Sequence, residues 1–372
     1  MRVLMISKAL VSGTSQRKLE ELARCGADLT LVTPPYWRHD DGSTQVLERL
    51  YTTGYRIIET PMRWNGNYHL HYYPGLARAL DEVRPEVVHI DEEPYNTATV
   101  HAMYLTVRRR IPALFFSYQN IFRRYPPPFS RFERYNYRHA AAAIAGNHEA
   151  GDVLKRKGYP GPLEIIPQFG FDPDIFSRAE PRAARVAGSR FTLGYLGRLK
   201  EEKGLLTILS ALKSLPEYCQ ATFIGQGPMQ GELEAYAARL GLSDRVTIRP
   251  GIPTSQVPET LSRLDVLVLP SLTRPNWKEQ FGRTLAEAMS CETPVIGSDS
   301  GEIPSVIGDA GLIFREGDSA ALAACVERLL ADRVLYADLA RRGRQRVLER
   351  YTQGEIARRT YAVYRKISGG LP

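Results

Sequence analysis

The feature that most constrains this chain is its hydrophobic pattern: short runs of apolar, often branched residues recur between longer stretches of mixed polarity. In the first half such runs fall at 3–7, 29–33, 87–90, 113–118, 142–145 and 163–166, with helical periodicity at 15–24, 70–83, 97–108 and 149–157. Several of the runs are apolar throughout instead of alternating. That is the signature of parallel strands covered by helices on both faces. A second series follows, with strands expected at 191–196, 221–224, 246–248, 266–269, 294–297 and 312–314 and helices at 204–214, 229–240, 284–290, 319–330 and 332–349. Residues 172–190 carry Pro173, Pro181, Gly188 and several charges with little periodicity, so the linker is placed there. With 372 residues, two α/β domains with separate cores are expected. Their bounds are 1–175 and 191–350, joined by a linker at 176–190. Residues 351–372 read as a last helix, with Tyr361, Tyr364 and Ile367 spaced for one face. Periodicity does not say which domain that face packs on.

Composition removes whole classes. Apolar residues at 43% and charged residues at 24% exclude a disordered chain, a collagen-like repeat and a coiled-coil rod. No apolar run approaches the roughly 20 residues needed to cross a bilayer. The apolar stretch before Lys8 is too short for a secretory signal and reads as a first strand. Cys25, Cys219, Cys291 and Cys325 are scattered without metal or redox spacing, which fits reduced thiols and a cytoplasmic setting. The net charge of +8 suits an anionic small ligand or an acidic membrane surface. No metal site is expected: His69 and His71 alternate around Leu70 without a carboxylate at zinc spacing. No G-x-S-x-G elbow is present either.

Ligands on sheets of this kind bind outside the carboxyl ends of the strands, so chemistry is sought there. Gly197-Arg198-Leu199-Lys200-Glu201-Glu202-Lys203-Gly204 follows a strand and delivers two cations, Arg198 and Lys203, suited to a diphosphate. The competing reading is a solvated loop whose cations match Glu201 and Glu202. Gly225-Gln226-Gly227-Pro228 follows the next strand; it would let a ligand approach the backbone, or simply make a tight turn. The segment from Glu279 to Ser290 is the sharpest. Gly282 places Glu279 in a loop and Glu287 in the helix that follows. Amides near Phe281, Gly282, Arg283 and Thr284 would then point at a phosphate, and Glu287 could accept from a ribose diol. Alternatively, Glu279 is a near-N-terminal helix carboxylate and Glu287 sits on a solvated face.

In the first domain the strand at 3–7 leads to Ser12-Gly13-Thr14, short of a full G-x-G-x-x-G fingerprint, so a dinucleotide has little support. Gly13 could still face a phosphate or sugar. Asp91-Glu92-Glu93-Pro94 places carboxylates at a strand end, to meet carbohydrate hydroxyls or to cap the next helix. Between 108 and 138 eight arginines face a single acid, Glu133, with nine aromatic residues interleaved. Such a stretch could rest on an anionic lipid headgroup layer. A single-stranded nucleic-acid platform has the same ingredients, but no nucleic-acid partner is expected.

Gly197-Arg198-Leu199 with Lys203-Gly204, then Gly225-Gln226-Gly227-Pro228, then Glu279 to Glu287 followed by Cys291-Glu292-Thr293-Pro294-Val295-Ile296-Gly297, together resemble family 4 of the retaining glycosyltransferases. The resemblance is strongest over 191–315. It implies the GT-B fold, two Rossmann-like domains facing each other across a deep cleft, with the tail helix crossing back to the first domain. It implies no cofactor and a nucleoside-diphosphate sugar donor (UDP-, GDP- or ADP-linked). By the resemblance, Arg198 and Lys203 would hold the diphosphate, Glu287 the ribose, and Glu279 would face the transferred sugar. Gly13 would close the cleft from the acceptor side. The acceptor would be a glycan, a lipid-linked or a small molecule, with Glu92, Glu93, Gln119 and Asn120 as sugar contacts, and the enzyme would be metal-independent and peripheral on the inner membrane face. A nucleotide-sugar epimerase or a non-catalytic nucleotide-sugar-binding protein is the alternative. One departure stands out. Many relatives carry a His in the first domain where this chain reads Phe116-Ser117-Tyr118-Gln119-Asn120, and neither amide there can act as a base at neutral pH.

Overall fold

A computed structural model describes residues 1–39, 41–178 and 188–369 of the chain, and all structural statements concern those residues. It divides into two compact units, Met1–Gly170 with the residues from Gln353 on, and Phe171–Thr352. The first boundary falls before the expected linker because Phe171 and Phe176 are buried in the second unit's core. Of the linker expected at 176–190, residues 179–187 lie outside the described residues.

The first unit runs β1 (Arg2–Ile6), α1 (Arg17–Arg24), β2 (Asp28–Thr33), the hairpin β3 (Tyr36–Arg38) and β4 (Thr44–Val46), β5 (Tyr55–Glu59), α2 (Leu76–Val83), β6 (Val87–Ile90), α3 (Thr97–Arg109), β7 (Ala113–Ser117), α4 (Phe129–His139), β8 (Ala142–Ala145), α5 (His148–Arg156) and β9 (Leu163–Ile165). Among the described residues its parallel sheet has the order β5-β2-β1-β6-β7-β8-β9. Strand alternation sorts the apolar side chains into two layers. Leu4, Ile6, Val88, Ile90 and Phe115 face a core shared with Leu76, Leu80, Ala98 and Met103. Val3, Met5, Leu29, Leu31 and Leu114 face the other, with Leu19 and Leu22.

The second unit runs β10 (Phe191–Leu196), α6 (Leu205–Ser214), β11 (Cys219–Ile224), α7 (Gln230–Arg239), β12 (Val246–Arg249), α8 (Val257–Arg263), β13 (Val266–Leu269), α9 (Arg283–Ser290), β14 (Val295–Ser298), α10 (Ile303–Ile307), β15 (Leu312–Phe314), α11 (Ser319–Ala331) and α12 (Arg333–Arg350). Its sheet, again parallel, has the order β12-β11-β10-β13-β14-β15. The last helix, α13 (Gln353–Ile367), packs in the first unit: Ile356, Ala357, Val363 and Tyr364 join the layer of Leu19 and Leu22. Its start is tied down by Gln353, whose Nε2 donates to the Gly170 carbonyl at 2.8 Å.

Three expectations change. The helix expected at 70–83 begins only at Leu76. Pro74 biases Tyr73 away from helical backbone, and Tyr72 instead bridges to Arg63 in extended form. Strand β5 and the β3–β4 hairpin went unread because their residues are largely half-buried or exposed and give weak periodicity. The short helices α4, α8 and α10 were also missed. In α4 the described buried residues are Glu133, Asn136 and Tyr137, two of them polar, so no apolar stripe marks it.

Tyr364 is fully buried, and its hydroxyl meets His89 Nδ1 at 2.7 Å. Burial drives the His89 pKa down to about 3, which keeps the ring neutral. Tyr364→Ala should destabilise the protein by about 3–5 kcal/mol, the range for emptying a buried aromatic site. Tyr364→Phe should cost about 1 kcal/mol, for the hydrogen bond alone. Denaturant unfolding of both variants checks the ratio.

Candidate active site

In the second unit the strand order reverses between β10 and β13, and polar groups gather at the carboxyl ends of these two strands. β10 runs through Gly197 and Arg198 into a tight turn, Glu201–Lys203. β13 runs into Pro270 and Ser271. Lys203 Nζ reaches Glu279 Oε2 at 2.6 Å, and Ser271 Oγ donates to the same oxygen at 2.9 Å. The Lys203 ammonium also lies 4.6 Å from the centre of the Trp277 ring, a cation–π distance. The backbone ties the two loops together, the Leu272 N–H donating to the Glu202 carbonyl at 2.8 Å. Lys203 therefore pairs with Glu279 and not with its neighbours; Glu201 accepts from Arg274 Nη2 at 2.7 Å on the surface. Arg198 is exposed, and its guanidinium has no hydrogen bond or ion pair among the described residues.

Gly282, at φ 77°, turns the loop bearing Glu279 into α9, so the two carboxylates stand on different elements. The amides of Arg283 and Thr284 open this helix and have no acceptor within it. Glu287 is buried, which removes the solvated-face reading, and its Oε1 accepts from Arg283 Nε at 2.8 Å. Burial raises its carboxyl pKa, with the Arg283 charge acting the other way. The Phe281 ring is committed to packing, 5.4 Å from Tyr351 and 6.2 Å from Phe171. Thr284 sits in the first turn of the helix, its side chain without a hydrogen bond among the described residues.

The glycines at 225 and 227 answer a need inside the protein. A Cβ on Gly225 would lie 1.8 Å from the Gly197 carbonyl oxygen, and one on Gly227 2.3 Å from that of Leu199. The two strand-end loops pack backbone to backbone, with Leu199 N–H donating to the Gln226 carbonyl at 3.0 Å.

In the first unit the strand order reverses between β1 and β6. Lys8, just beyond β1, pairs with Glu92, beyond β6, and His71 Nε2 lies 3.4 Å from the same carboxylate oxygen. The rings of Trp37 and Tyr68 stand 5.6 and 5.9 Å from the Lys8 ammonium. Burial works to raise the Glu92 pKa, but Lys8 and His71 together bring it down to about 2. Asp91 accepts from Ser7 Oγ at 2.7 Å and Gln168 Nε2 at 3.1 Å. Glu93 accepts from Ser117 Oγ at 2.8 Å and the Tyr118 N–H at 2.7 Å. The carboxylates thus bind across strand ends and do not cap α3, whose N-cap is Asn96.

Both amides singled out in the sequence have protein partners. Gln119 donates to Tyr125 Oη at 3.0 Å and accepts from Lys157 Nζ at 3.0 Å, while Asn120 Nδ2 lies 3.3 Å from Glu149 Oε2. The Gly13 amide, expected to face a phosphate or sugar, donates to Glu48 Oε2 at 2.7 Å. In the basic stretch, Arg123, Arg124, Arg131, Arg134 and Arg138 are exposed. Its aromatics are largely spent on packing: Phe115, Phe116 and Tyr137 are buried, and Tyr125 lies against Tyr95 with ring centres 4.3 Å apart.

Sequence reasoning missed Lys8, His71, Ser271 and Trp277. Lys8 and Glu92 each stand two residues beyond a strand, but only the strand order shows that those two strands are neighbours. Among the described residues no cluster of three His, Cys, Asp or Glu is placed to hold a metal, and no helix is long and apolar enough to cross a membrane.

Two parallel α/β units, each with its polar groups at the point of strand reversal, make this a GT-B protein, and solved structures agree along the whole chain. Sucrose-phosphate synthase from Thermosynechococcus elongatus superimposes with a TM-score of 0.71 at 20% identity, covering 100% of both chains. HepE from Anabaena, in complex with UDP, gives 0.72 at 17% identity, covering 98% of this chain and 100% of that one. Residues 177–346 match the family described as glycosyl transferases group 1, and residues 13–168 match the glycosyl transferase 4-like domain. The chain belongs to the group 1 glycosyltransferase family. Among curated relatives, a 2-deoxystreptamine glucosyltransferase from Streptomyces kanamyceticus is 28% identical over 74% of this chain and 71% of its own length. Two further relatives are matched over 66% and 60% of their own lengths.

Gly225→Ala should destabilise the protein by at least about 2 kcal/mol, since a methyl group cannot share space with the Gly197 carbonyl. Thermal unfolding would show it. Gly231, with open space around its Cβ position, is the control: Gly231→Ala should not lower the melting temperature.

Proposed function

We propose that this chain is a retaining glycosyltransferase that moves a hexose-type sugar from a nucleoside diphosphate to a hydroxyl of a glycan, lipid-linked or small-molecule acceptor. The observation that carries the reading is the Lys203–Glu279 pair beside the exposed Arg198, at the strand reversal of the second sheet and just ahead of α9. A leaving nucleoside diphosphate needs its charge neutralised in place. Arg198 is an available cation, and Lys203 can pass from Glu279 to a phosphate oxygen because both side chains keep some exposure. Glu279 is then released to accept from sugar hydroxyls, the α9 amides face the phosphates, and Glu287 takes the ribose diol. Two cations and a helix terminus supply the field a metal would otherwise provide, so no metal requirement is expected. Retention follows if the acceptor attacks the face the phosphate leaves, with that phosphate accepting the acceptor's proton. Gly225 and Gly227 shape the floor of this site by holding the two loops together. The donor base is open among UDP, GDP and ADP. HepE's complex with UDP and the glucosyltransferase relative make UDP-glucose the first donor to try, with aminocyclitols among the acceptors.

Lys203→Ala should lower kcat/KM for the donor by about 100-fold, the scale of losing one charge-stabilising group. Glu287→Gln should weaken donor binding by about tenfold. Both should melt within a few degrees of wild type. A nucleotide-sugar panel read by thermal shift, followed by transfer assays, provides the measurement; wild-type kinetics in both variants would refute the site. Consumption of an acceptor separates transfer from epimerisation, and binding without turnover would favour a non-catalytic role.

The five exposed arginines of the 123–138 segment support a peripheral seat on an anionic membrane, from which a lipid-linked acceptor would be reached. Vesicles containing phosphatidylserine should retain the protein at low salt and release it as salt rises. Arg131→Glu with Arg134→Glu should abolish retention; binding that ignores both salt and charge reversal sinks the membrane reading.

A further inference from the structure

One carboxylate from a neighbouring strand end organises the loop after β7. Glu93 Oε2 accepts from Ser117 Oγ at 2.8 Å and its Oε1 from the Tyr118 N–H at 2.7 Å. Ser117 Oγ in turn faces the Gln119 N–H at 3.4 Å, so a single side chain governs three consecutive residues. Beyond it, Gln119 spans Tyr125 and Lys157, and Lys157 is anchored at 2.6 Å on Glu133. Any sugar contact proposed for Gln119 therefore depends on a backbone geometry that Glu93 sets.

We propose that Glu93 is a positioning residue for the transfer reaction: its ionised carboxylate holds the Ser117–Tyr118–Gln119 backbone in the productive form, and its protonation loosens that grip. The proposal rests on the transferase reading above. A charged acceptor makes hydrogen bonds roughly twice as strong as a neutral one, so the two protonation states hold the loop differently. Glu93 as a residue is only half-buried, yet its carboxyl is screened from water enough that burial pushes its pKa up to about 7, even with two backbone and hydroxyl donors and with Lys8 and Lys157 pulling it down. The charged and titratable groups around it come from every adjoining element. Lys8 follows β1, and Glu92 is the neighbouring residue. Tyr95 precedes α3, Tyr125 lies in the loop before α4, Tyr137 and Glu133 are on α4, and Lys157 follows α5. The three tyrosines are all raised, chiefly by burial, so they stay neutral near pH 7. His69, against Tyr95 and Tyr125, has its pKa lowered by burial and by His71, and its variant therefore belongs in the test as a control.

The test is the pH profile of kcat/KM between pH 5 and 9, in wild type, Glu93→Gln, Glu93→Asp and His69→Gln. Glutamine copies the protonated carboxyl in shape and charge. Wild type should lose about tenfold in rate toward low pH, with an apparent pKa near 7. Glu93→Gln should be flat across the range, at the rate wild type shows at pH 5. Glu93→Asp should keep an acid limb, and so should His69→Gln. Nucleoside-diphosphate binding by thermal shift should be unchanged in Glu93→Gln, which also reports that the variant is folded. An acid limb that survives in Glu93→Gln, or a flat wild-type profile, overturns the proposal while leaving the transferase intact. A wild type without transfer to any acceptor overturns the transferase reading first and this one with it.

Discussion

A lysine–glutamate pair spanning the point where a parallel sheet reverses its strand order is the interaction on which each unit's polar end depends. In the first unit the pair is Lys8–Glu92; in the second it is Lys203–Glu279. The reversal opens a crevice between two strand ends that no single helix covers, so polar side chains collect there and must satisfy one another. The two pairs differ in one respect that matters. The Glu92 side chain is 0% exposed, with Lys8 at 16%, whereas Glu279 keeps 11% and Lys203 20%. Breaking the first by removing Lys8 would leave the buried Glu92 charge with only His71 beside it, which is destabilising. The second keeps enough exposure for an anion to compete for the lysine, which is what the proposed transfer reaction asks of it. The same motif is thus a buried brace in one sheet and, on the proposed reading, an exchangeable contact in the other.

Around the second pair, packing and chemistry use the same backbone. Loops following β10 and β11 touch through main-chain atoms at Gly197, Leu199, Gly225 and Gly227, leaving no room for a side chain between them. Their rigidity sets where Arg198 and Lys203 emerge. Gly282 does comparable work for Glu279 and Glu287 by ending one loop and beginning one helix within a single residue. Gly225 and Gly227, which the sequence offers either to a ligand or to a tight turn, are in any case required to be small by the backbone that approaches them.

Much of the fold was legible. The strands at 87–90, 142–145, 191–196, 266–269 and 312–314 coincide with the observed ones, because buried parallel strands are apolar on both faces and announce themselves as short continuous runs. Strand β5 and the β3–β4 hairpin did not announce themselves, since their half-exposed faces dilute the pattern. At the candidate site, the loop–helix division of Glu279 and Glu287 followed from Gly282 alone. The partners of Lys203 could not be read: Glu201 and Glu202 are adjacent in sequence, but Glu279 is 76 residues away and is reached only because β10 and β13 are neighbours.

By itself, then, the amino-acid order determined the two-sheet architecture, the places where strands end, and the residue types delivered there, since those follow from local hydrophobic period and turn chemistry. Tertiary structure decided which of those strand ends are neighbours, and with that which charges meet. It paired Lys8 with Glu92, put the Gly13 amide on Glu48, buried Phe115, Phe116 and Tyr137 of the basic stretch, and folded α13 into the first unit's core. Strand order is a long-range property of packing, and hydrogen bonds across it join residues whose separation along the chain carries no signal.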